Sequence, residues 1–176
     1  GLYYLIVMVP SPEIEETHIN EILGRESPVY YRDGQTKLGV LFEGIHRQYL
    51  PYREIPQPFI DALIAAEDNQ FFLHFGVDVP GIVRAMIANL RAGRIVQGGS
   101  TITQQTAKNL FKRESRNMEA KVKELLFALR LEHRYSKEKI LEFYCNQFFV
   151  SGNGHGLGVA ARYFFDKDPK DLTLLE

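Results

Sequence analysis

The most informative helix of this chain spans residues 116–134, which read RNMEAKVKELLFALRLEHR. Placed at about 100° per residue, its apolar side chains form two stripes on nearly opposite sides. One stripe contains Met118, Val122, Leu125, Leu126 and Leu129, and the other contains Ala120, Phe127, Ala128 and Leu131. A helix that is apolar almost all round is surrounded by other elements. The segment therefore predicts a mainly α-helical domain with this helix at its centre.

Apolar residues recur at helical spacing through the rest of the chain after Pro56. They predict further helices over 57–68, 79–91, 101–111, 137–148 and 157–165. Asp78 followed by Pro80 is a typical helix start, and Gly93 is a typical helix end. Before Pro56, the segments 29–32 and 37–42 flank Asp33-Gly34 and predict a small β-hairpin with a two-residue turn near the N-terminus.

The composition is that of one globular domain. The 176 residues are 45% hydrophobic and 24% charged, and 21 Lys and Arg are balanced by 22 Asp and Glu. A general nucleic-acid binder usually carries a surplus of positive charge, so we expect no nucleic acid among the partners. Cys145 is the single cysteine, which excludes an internal disulfide and a cysteine-based zinc site.

Both ends of the chain carry signals of a longer protein. Residues 1–9 are nearly all apolar, and Pro10-Ser11-Pro12 interrupts the run. A helix that crosses a bilayer needs about 20 such residues, so we interpret residues 1–10 as the end of a truncated transmembrane anchor, with a buried strand as the alternative. Residues 173–176 have the Thr-x-x-Glu spacing of a capping box, which predicts a helix that continues past the last residue. The domain is accordingly assigned to residues 11–176, with its C-terminal end truncated.

One glutamate stands at a position where an apolar side chain is expected. Ile60, Leu63 and Ile64 share a face of helix 57–68, and Glu67 is the next position on that face. Such a carboxylate lies either at the edge of a cleft or in the core with a partner. Burial would raise its pKa towards the range that suits proton transfer. The alternative is an ordinary solvated or ion-paired glutamate at a helix end.

Glu124 lies within the second apolar stripe of helix 116–134. Its simplest interpretation is an ion pair with Lys121 on the same helix, which is worth a few tenths of a kcal/mol. Several basic residues lie nearby in the sequence: Lys108, Lys112, Arg113, Arg116, Lys121 and Lys123. They follow a polar run at 100–105, from which Gln105 points the same way as Lys108. A solvated charged face or a simple N-cap explains these residues, and so does an anion-binding site.

Two carboxylates near a group of cations suggest chemistry at a glycosidic bond. A hydrolase needs an acid to protonate a poor leaving group and a second carboxylate as base or nucleophile. A transfer from a sugar pyrophosphate needs cations at the leaving group and one base for the attacking hydroxyl. The residues favour the transferase modestly, and the hydrolase stays open as the alternative.

Four ordered segments resemble the motifs of the family 51 peptidoglycan glycosyltransferases. They are EDNQFFLHFGVD at 67–78, GGSTITQQ at 98–105, KVKE at 121–124 and KILEFYCN at 139–146. The resemblance extends from about residue 28 to the end of the chain. The chain departs from the family pattern at Ala120, where a basic residue is frequent, at Cys145, where leucine is usual, and at Asp166, where glycine is usual.

This resemblance implies a lysozyme-like helical domain with a membrane-associated hydrophobic subdomain, of the kind found in class A penicillin-binding proteins and monofunctional transglycosylases. The implied reaction polymerises lipid II, a disaccharide-pentapeptide on undecaprenyl pyrophosphate, into a β-1,4 glycan with inversion. The implied partners are the growing glycan chain, the bacterial membrane and other cell-wall synthesis proteins. The domain would lie on the outer face of the cytoplasmic membrane. The implied cofactor is a divalent cation, Mg²⁺ or Mn²⁺, with Glu67 or Asp68 as candidate ligands.

Carried over position by position, the resemblance assigns the site. Glu67 is the general base on the 4-hydroxyl of the acceptor sugar, and Glu124 is the second catalytic residue. The substrate-binding positions are Asp68, His74, Ser100, Gln104, Gln105, Lys108, Arg116 and Lys121. Two rival interpretations remain: a lysozyme-like hydrolase or lytic transglycosylase, and a non-catalytic scaffold docked on the membrane.

A lipid-borne substrate also accounts for the pattern of helix 79–91. Its apolar stripe contains Ile82, Val83, Met86, Ile87 and Leu90, and the stripe is flanked by Arg84, Arg91 and Arg94. We expect partial membrane contact with arginines at anionic headgroups, while a core helix with solvated arginines is the alternative.

Overall fold

The computed structural model describes residues 11–24, 27–41, 46–111, 117–151, 154–173 and 175–176. These residues contain seven α-helices: α1 (Glu16–Leu23), α2 (Gln57–Glu67), α3 (Val79–Ala92), α4 (Ile102–Leu110), α5 (Met118–Arg134), α6 (Lys137–Cys145) and α7 (Leu157–Phe165). Short 3-10 turns lie at Pro12–Ile14, Tyr52–Glu54 and Pro169–Asp171. The prediction of a mainly α-helical fold is therefore confirmed. The predicted anchor at residues 1–10 lies outside the described residues.

The described strands form two small sheets. Strands β1 (Ser27–Tyr30) and β2 (Lys37–Leu41) pair antiparallel, which confirms the predicted hairpin. Strands β3 (His46–Arg47), β4 (Phe149–Ser151) and β5 (Gly154–His155) form a second sheet with β5 in the middle, parallel to β3 and antiparallel to β4. Strands of two or three residues are too short to show an alternating pattern, so the sequence did not predict this sheet.

The two-residue turn predicted for the hairpin is wrong. The backbone N–H of Tyr31 donates to the carbonyl of Thr36 at 2.8 Å, so four residues separate the closing pair. The Asp33 carboxylate accepts hydrogen bonds from the backbone N–H groups of Gln35 at 3.0 Å and Thr36 at 2.9 Å. An aspartate that binds local backbone donors stabilises a wider loop, which the dipeptide rule does not take into account.

The sequence predicted the start of helix α3 and the glycine that ends it, while the last helical residue is Ala92 in place of the predicted residue 91. The Asp78 carboxylate accepts a hydrogen bond from the backbone N–H of Gly81 at 2.9 Å, and Pro80 lies in the first turn. Gly93 ends the helix with φ of 63°, a left-handed conformation that costs glycine little. Helix α1, by contrast, was not predicted. It is eight residues long, and Ile19 and Leu23 are its only buried residues.

Helix α5 is central on one side only. Ala128 and Leu131 of its second stripe are fully buried, and α5 packs against α4 and α6. In the first stripe, however, Met118 is 79% exposed and Val122 is 50% exposed. The expectation that this helix is enclosed all round is therefore wrong, because none of the described elements covers the first turns of that stripe.

The fourth motif fixes the segment that leads into α2. The side-chain amide of Asn146 accepts from the backbone N–H of Leu50 at 2.8 Å and donates to its carbonyl at 2.9 Å. Glu142 accepts a hydrogen bond from the backbone N–H of Tyr52 at 2.7 Å and another from the Tyr49 hydroxyl. Since α2 begins soon after these residues, the motif sets the position of the helix that carries Glu67.

A partly buried ionic network links α4, α5 and α6 to the first motif. The Lys137 ammonium donates to Glu132 at 2.7 Å and to the carbonyl of His74 at 2.7 Å, and it lies 4.4 Å from the centre of the Phe71 ring. The Thr103 hydroxyl donates to the same Glu132 carboxylate at 2.5 Å. Partial burial of these charges is tolerated because each has close partners. No helix among those described is both long enough and apolar enough to cross a bilayer.

Candidate active site

An open cleft of about 460 Å³ lies between the end of α2, the first turns of α3 and the loop that precedes α4. Its walls include Glu67, Asp68, Arg84, Ser100 and Gln105. The loop wall is shaped by Asn89 of α3. The carbonyl oxygen of its side chain accepts from the backbone N–H groups of Val96 and Gln97, at 2.7 and 2.9 Å. The first and second motifs therefore face each other across one concave surface.

Glu67 is the last residue of α2, and its exposed side chain stands in the wall of the cleft. Of the positions predicted for it, the structure excludes the core: Glu67 lies at the edge of the cleft, and it is exposed as the alternative of a solvated glutamate at a helix end also predicted. One carboxylate oxygen, Oε2, accepts a hydrogen bond from Nε2 of Gln105 at 2.9 Å. The first and second motifs thus meet at the residue that the resemblance assigns as the base.

Asp68 follows Glu67 but points the other way, into the protein. It is 8% exposed, and its Oδ2 accepts a hydrogen bond from the backbone N–H of Ile102 at 3.0 Å. Nε2 of His74 lies 3.0 Å from the same oxygen, while Nδ1 of His74 accepts from the backbone N–H of Gly76 at 3.1 Å. This pattern places a proton of the imidazole on Nε2, where it is donated to Asp68. Both residues hold the loop of the first motif against the start of α4.

Glu124 is buried, at 5% exposed, and is paired with Lys121 one turn earlier on α5. The intrahelical pair offered as its simplest interpretation is therefore present. The Lys121 ammonium also lies 3.4 Å from the hydroxyl of Ser100, in the wall of the cleft. Glu124 consequently holds a cation beside the cleft, while its own carboxylate stays away from solvent.

The remaining predicted positions are distributed differently. Gln104 is 1% exposed, and its side chain completes a capping box with Thr101 at the start of α4. It therefore lies beneath the cleft, and among the described residues its Nε2 has no hydrogen-bond partner. Lys108 is exposed on α4. Arg116 lies outside the described residues, as do Lys112 and Arg113.

Two features of the site were missed by sequence reasoning. Arg84, expected at lipid headgroups, lines the cleft and forms an ion pair with Asp78 at 3.2 Å. The hydroxyl of Tyr144 donates to Oε1 of Gln105 at 3.4 Å. Burial raises the pKa of Tyr144 to about 12, and the negative charge of Glu67 adds to the effect. Contacts between residues so far apart in the chain leave no signal in local spacing.

Of the two candidate ligands for the implied divalent cation, one is already occupied by hydrogen bonds. Both oxygens of Asp68 lie within hydrogen-bond distance of Nε2 of His74, and Oδ2 also accepts from the N–H of Ile102, which leaves Glu67 as the available carboxylate of the expected two. The part of the chain that the structure describes contains no group of three or more His, Cys, Asp or Glu residues arranged to hold a metal ion. The cation requirement stays a prediction.

A helical domain with a carboxylate in an open polar cleft and a lysine held at its rim has the groups needed for glycosyl transfer. The chain belongs to the transglycosylase family, because the model of that family matches residues 35–176. The resemblance to the family 51 glycosyltransferases is thereby confirmed.

The chain is also similar to larger proteins of known sequence. It is 48% identical to penicillin-binding protein 1A of Aquifex aeolicus over 130 residues. This aligned segment covers 74% of this chain and 18% of that protein. It is 39% identical over 98% of its length to penicillin-binding protein 1A of Pseudomonas aeruginosa, of which it covers 21%. It is 37% identical over 99% of its length to penicillin-binding protein 1F of Bacillus subtilis, of which it covers 24%. The chain thus spans about a fifth of the length of these relatives.

Proposed function

We propose that this domain polymerises lipid II into β-1,4-linked glycan strands and releases undecaprenyl pyrophosphate. The observation that carries the proposal is the position of Glu67, exposed in the cleft wall and held through one oxygen by Gln105. The family membership supports a glycosyl transfer, and the lipid substrate follows from the resemblance. The lysozyme-like character of the helical fold belongs to the same proposal.

Glu67 takes the proton in the proposed step. With Oε2 held by Gln105, its other oxygen is available to the 4-hydroxyl of the acceptor N-acetylglucosamine. The deprotonated oxygen attacks the anomeric carbon of the donor N-acetylmuramic acid from the face opposite the pyrophosphate. One C–O bond forms, the bond to the pyrophosphate oxygen breaks, and the anomeric centre is inverted. General base catalysis of this kind contributes about 10²–10⁴-fold in rate.

Cations stabilise the departing pyrophosphate in this mechanism. Lys121 lies beside the cleft at Ser100, where Glu124 holds it, and Arg84 stands in the cleft wall with Asp78. A fixed cation stabilises a developing phosphate charge without reorganising during the reaction. Lys108 and Arg116 are proposed for the same region on the strength of the resemblance alone.

The apolar face of α3 is proposed to contact the membrane. Met86 is 55% exposed, and Leu90 is 74% exposed in the last turn. Apolar side chains of the neighbouring segments are exposed as well: Phe72, Leu73, Phe75, Ile95 and Val96. An amphipathic helix of this kind lies in a bilayer interface without spanning it. The domain would then work on the outer face of the cytoplasmic membrane, where other cell-wall synthesis proteins are expected partners.

Incubation of the protein with lipid II in detergent or vesicles tests the proposal. We expect glycan polymer from the wild type and at least a hundredfold loss of rate in Glu67→Gln, in line with removal of a general base. Asp61→Asn is the matched control, because Asp61 is an exposed carboxylate on the same helix that contacts Gln57 rather than the cleft. An E67Q variant as active as the wild type would overturn the assignment of the base. Shortening of finished glycan would favour a hydrolase, and the absence of both activities would favour a scaffold.

A further inference from the structure

The amide of Gln105 lies between Glu67 and a tyrosine of the fourth motif. Its nitrogen donates to Oε2 of Glu67 at 2.9 Å, and its oxygen accepts from the hydroxyl of Tyr144 at 3.4 Å. Helices α4 and α6 pack against each other, which brings these residues of three separate motifs together. The result is a chain of hydrogen bonds from a half-buried tyrosine to the cleft.

A side-chain amide has one donor end and one acceptor end, so its orientation matters at this position. Only the orientation with nitrogen towards Glu67 stabilises the carboxylate, because the opposite one would place two oxygens against each other. The Tyr144 hydroxyl fixes the acceptor end of Gln105 and so opposes rotation of the side chain away from Glu67. Burial raises the pKa of Tyr144 to about 12, with the charge of Glu67 adding to it, so the phenol keeps its proton at working pH.

We propose that Tyr144 is a positioning residue for Glu67, acting through the Gln105 amide. The hydroxyl anchors the amide, the amide anchors Oε2, and the second carboxylate oxygen is left facing the cleft. This inference rests on the proposed function, since it matters only if Glu67 acts as the base. It assigns to the fourth motif a part in proton transfer, in addition to holding the segment at residues 49–52.

Two other donors near the cleft are engaged elsewhere, which leaves this task to Gln105. Nε2 of His74 lies on Asp68, and Arg84 is paired with Asp78. The hydrogen bond that the structure gives the Glu67 carboxylate comes from the Gln105 amide. A change at Tyr144 is therefore expected to reach Glu67 by way of Gln105.

A double-mutant cycle tests this path. We expect Tyr144→Phe to lower kcat about tenfold with little change in KM for lipid II, and Gln105→Ala to lower kcat at least as much. The Y144F/Q105A double variant should be no slower than Q105A alone, because a residue that acts through Gln105 has no effect once that amide is gone. The acidic limb of the Y144F kcat profile should move to higher pH, since a less well ordered donor makes the carboxylate easier to protonate.

Tyr135→Phe is the matched control. Its hydroxyl donates to the carbonyl of Ile14 at 2.6 Å, so the variant loses a comparable half-buried hydrogen bond away from the cleft. It should keep both kcat and the pH profile. Additive losses in the cycle, or a Y144F variant with wild-type kcat and pH profile, would overturn the inference.

One additional measurement and one substitute variant guard against loss of folding. Urea unfolding of each variant corrects kcat for the folded fraction. If Y144F does not fold, Tyr144→Leu takes its place in the cycle, because leucine also lacks the hydroxyl that contacts Gln105; a Y144L variant with wild-type kcat and pH profile would overturn the inference. An active E67Q variant would instead defeat the proposed function itself, so the two failures are distinguishable.

Discussion

The carboxylate of Asp68 caps a helix that begins 34 residues later, because its Oδ2 accepts a hydrogen bond from the backbone N–H of Ile102 at 3.0 Å. The Thr101 hydroxyl donates in the opposite direction, to the carbonyl of Gly76 at 2.7 Å. The first and second motifs are therefore fastened at two points. Glu67 stands immediately before one of them, so the position of the proposed base depends on this junction.

Asp68→Asn is expected to destabilise the fold by about 1–3 kcal/mol, since the amide nitrogen cannot accept the bonds that the carboxylate oxygens accept now. Urea unfolding followed by circular dichroism measures the loss. Asp61→Asn, an exposed substitution on α2, should leave the free energy of unfolding within about 0.5 kcal/mol of the wild type. Equal stability of D68N and the wild type would show that the junction contributes nothing.

The lowered pKa of Glu142 predicts how the stability of the protein depends on pH. Burial raises the pKa of this carboxyl group, but hydrogen bonds from Lys139, from Tyr49 and from the N–H of Tyr52 outweigh burial and leave the pKa below its ordinary value of 4.5. A carboxylate with a lowered pKa in the folded state stabilises the protein above the unfolded value. That contribution is lost as the pH falls below about 4.5 and through the folded pKa.

Glu142→Gln should therefore cost about 2 kcal/mol at pH 7, the typical worth of hydrogen bonds to a charged group. Its deficit relative to the wild type should shrink as the pH falls below 4.5, the ordinary value of this carboxyl. Urea unfolding of the variant and the wild type at several pH values between about 3 and 7 measures both stability curves. This range covers the pH at which carboxyl groups titrate. Parallel curves would mean that Glu142 does not titrate differently in the folded state.

Local patterns predicted the parts of the fold that obey local rules. The ends of α3 follow from Asp78 and Gly93, and the Lys121–Glu124 pair follows from helical spacing. The contact between Asp68 and Ile102 could not be predicted in the same way, because it depends on how distant segments pack. The four motifs predicted the candidate site, but the contacts that their residues make within it required the fold.

Gln104 and Tyr144 illustrate that limit in opposite directions. Gln104 is polar, as surface residues usually are, yet its side chain is buried because it takes part in the capping box at the start of α4. Tyr144 is a large aromatic residue of α6, of the kind expected in a core, yet its hydroxyl contacts Gln105 of the second motif. Helical periodicity separates buried from exposed faces, but it does not show which polar atoms meet across them.

Gly158, the second residue of α7, has a steric reason to be glycine. A Cβ atom there would lie 2.7 Å from the carbonyl oxygen of Gln48 and 2.9 Å from its Cβ. An alanine in a helix usually stabilises by about 0.5–1 kcal/mol over glycine. Gly158→Ala should do the reverse and destabilise by about 1–3 kcal/mol, as overpacking does.

Thermal and urea unfolding measure this effect. Gly98→Ala is the control, because a Cβ at that residue meets nothing within 4 Å. Its stability should stay close to that of the wild type. A G158A protein more stable than the wild type would show that residues 48 and 158 separate easily.

Membrane contact through α3 predicts a loss of vesicle binding when negative charge is placed on its apolar face. Leu90→Glu and Met86→Glu each place a carboxylate on the apolar face, where it is repelled by anionic lipids and costly to bury. We expect sedimentation with vesicles that contain anionic phospholipid to fall at least tenfold for the double variant. Phe164→Glu on α7, at a site 62% exposed, is the control and should sediment like the wild type. Equal losses in both would place the contact elsewhere.

The role of the Glu124–Lys121 pair can be tested with an internal control, because α5 also carries an exposed pair of the same residue types. Glu119 and Lys123 form an exposed ion pair at 2.9 Å, whereas Glu124 is buried and its lysine reaches Ser100 at the cleft. Glu124→Gln keeps the shape but removes the charge that holds Lys121, so the cation is no longer fixed where the leaving group is proposed to lie. Turnover of lipid II should fall at least tenfold in E124Q and stay unchanged in Glu119→Gln. If both variants lost turnover equally, the net charge of the helix would explain the effect and the held lysine would not.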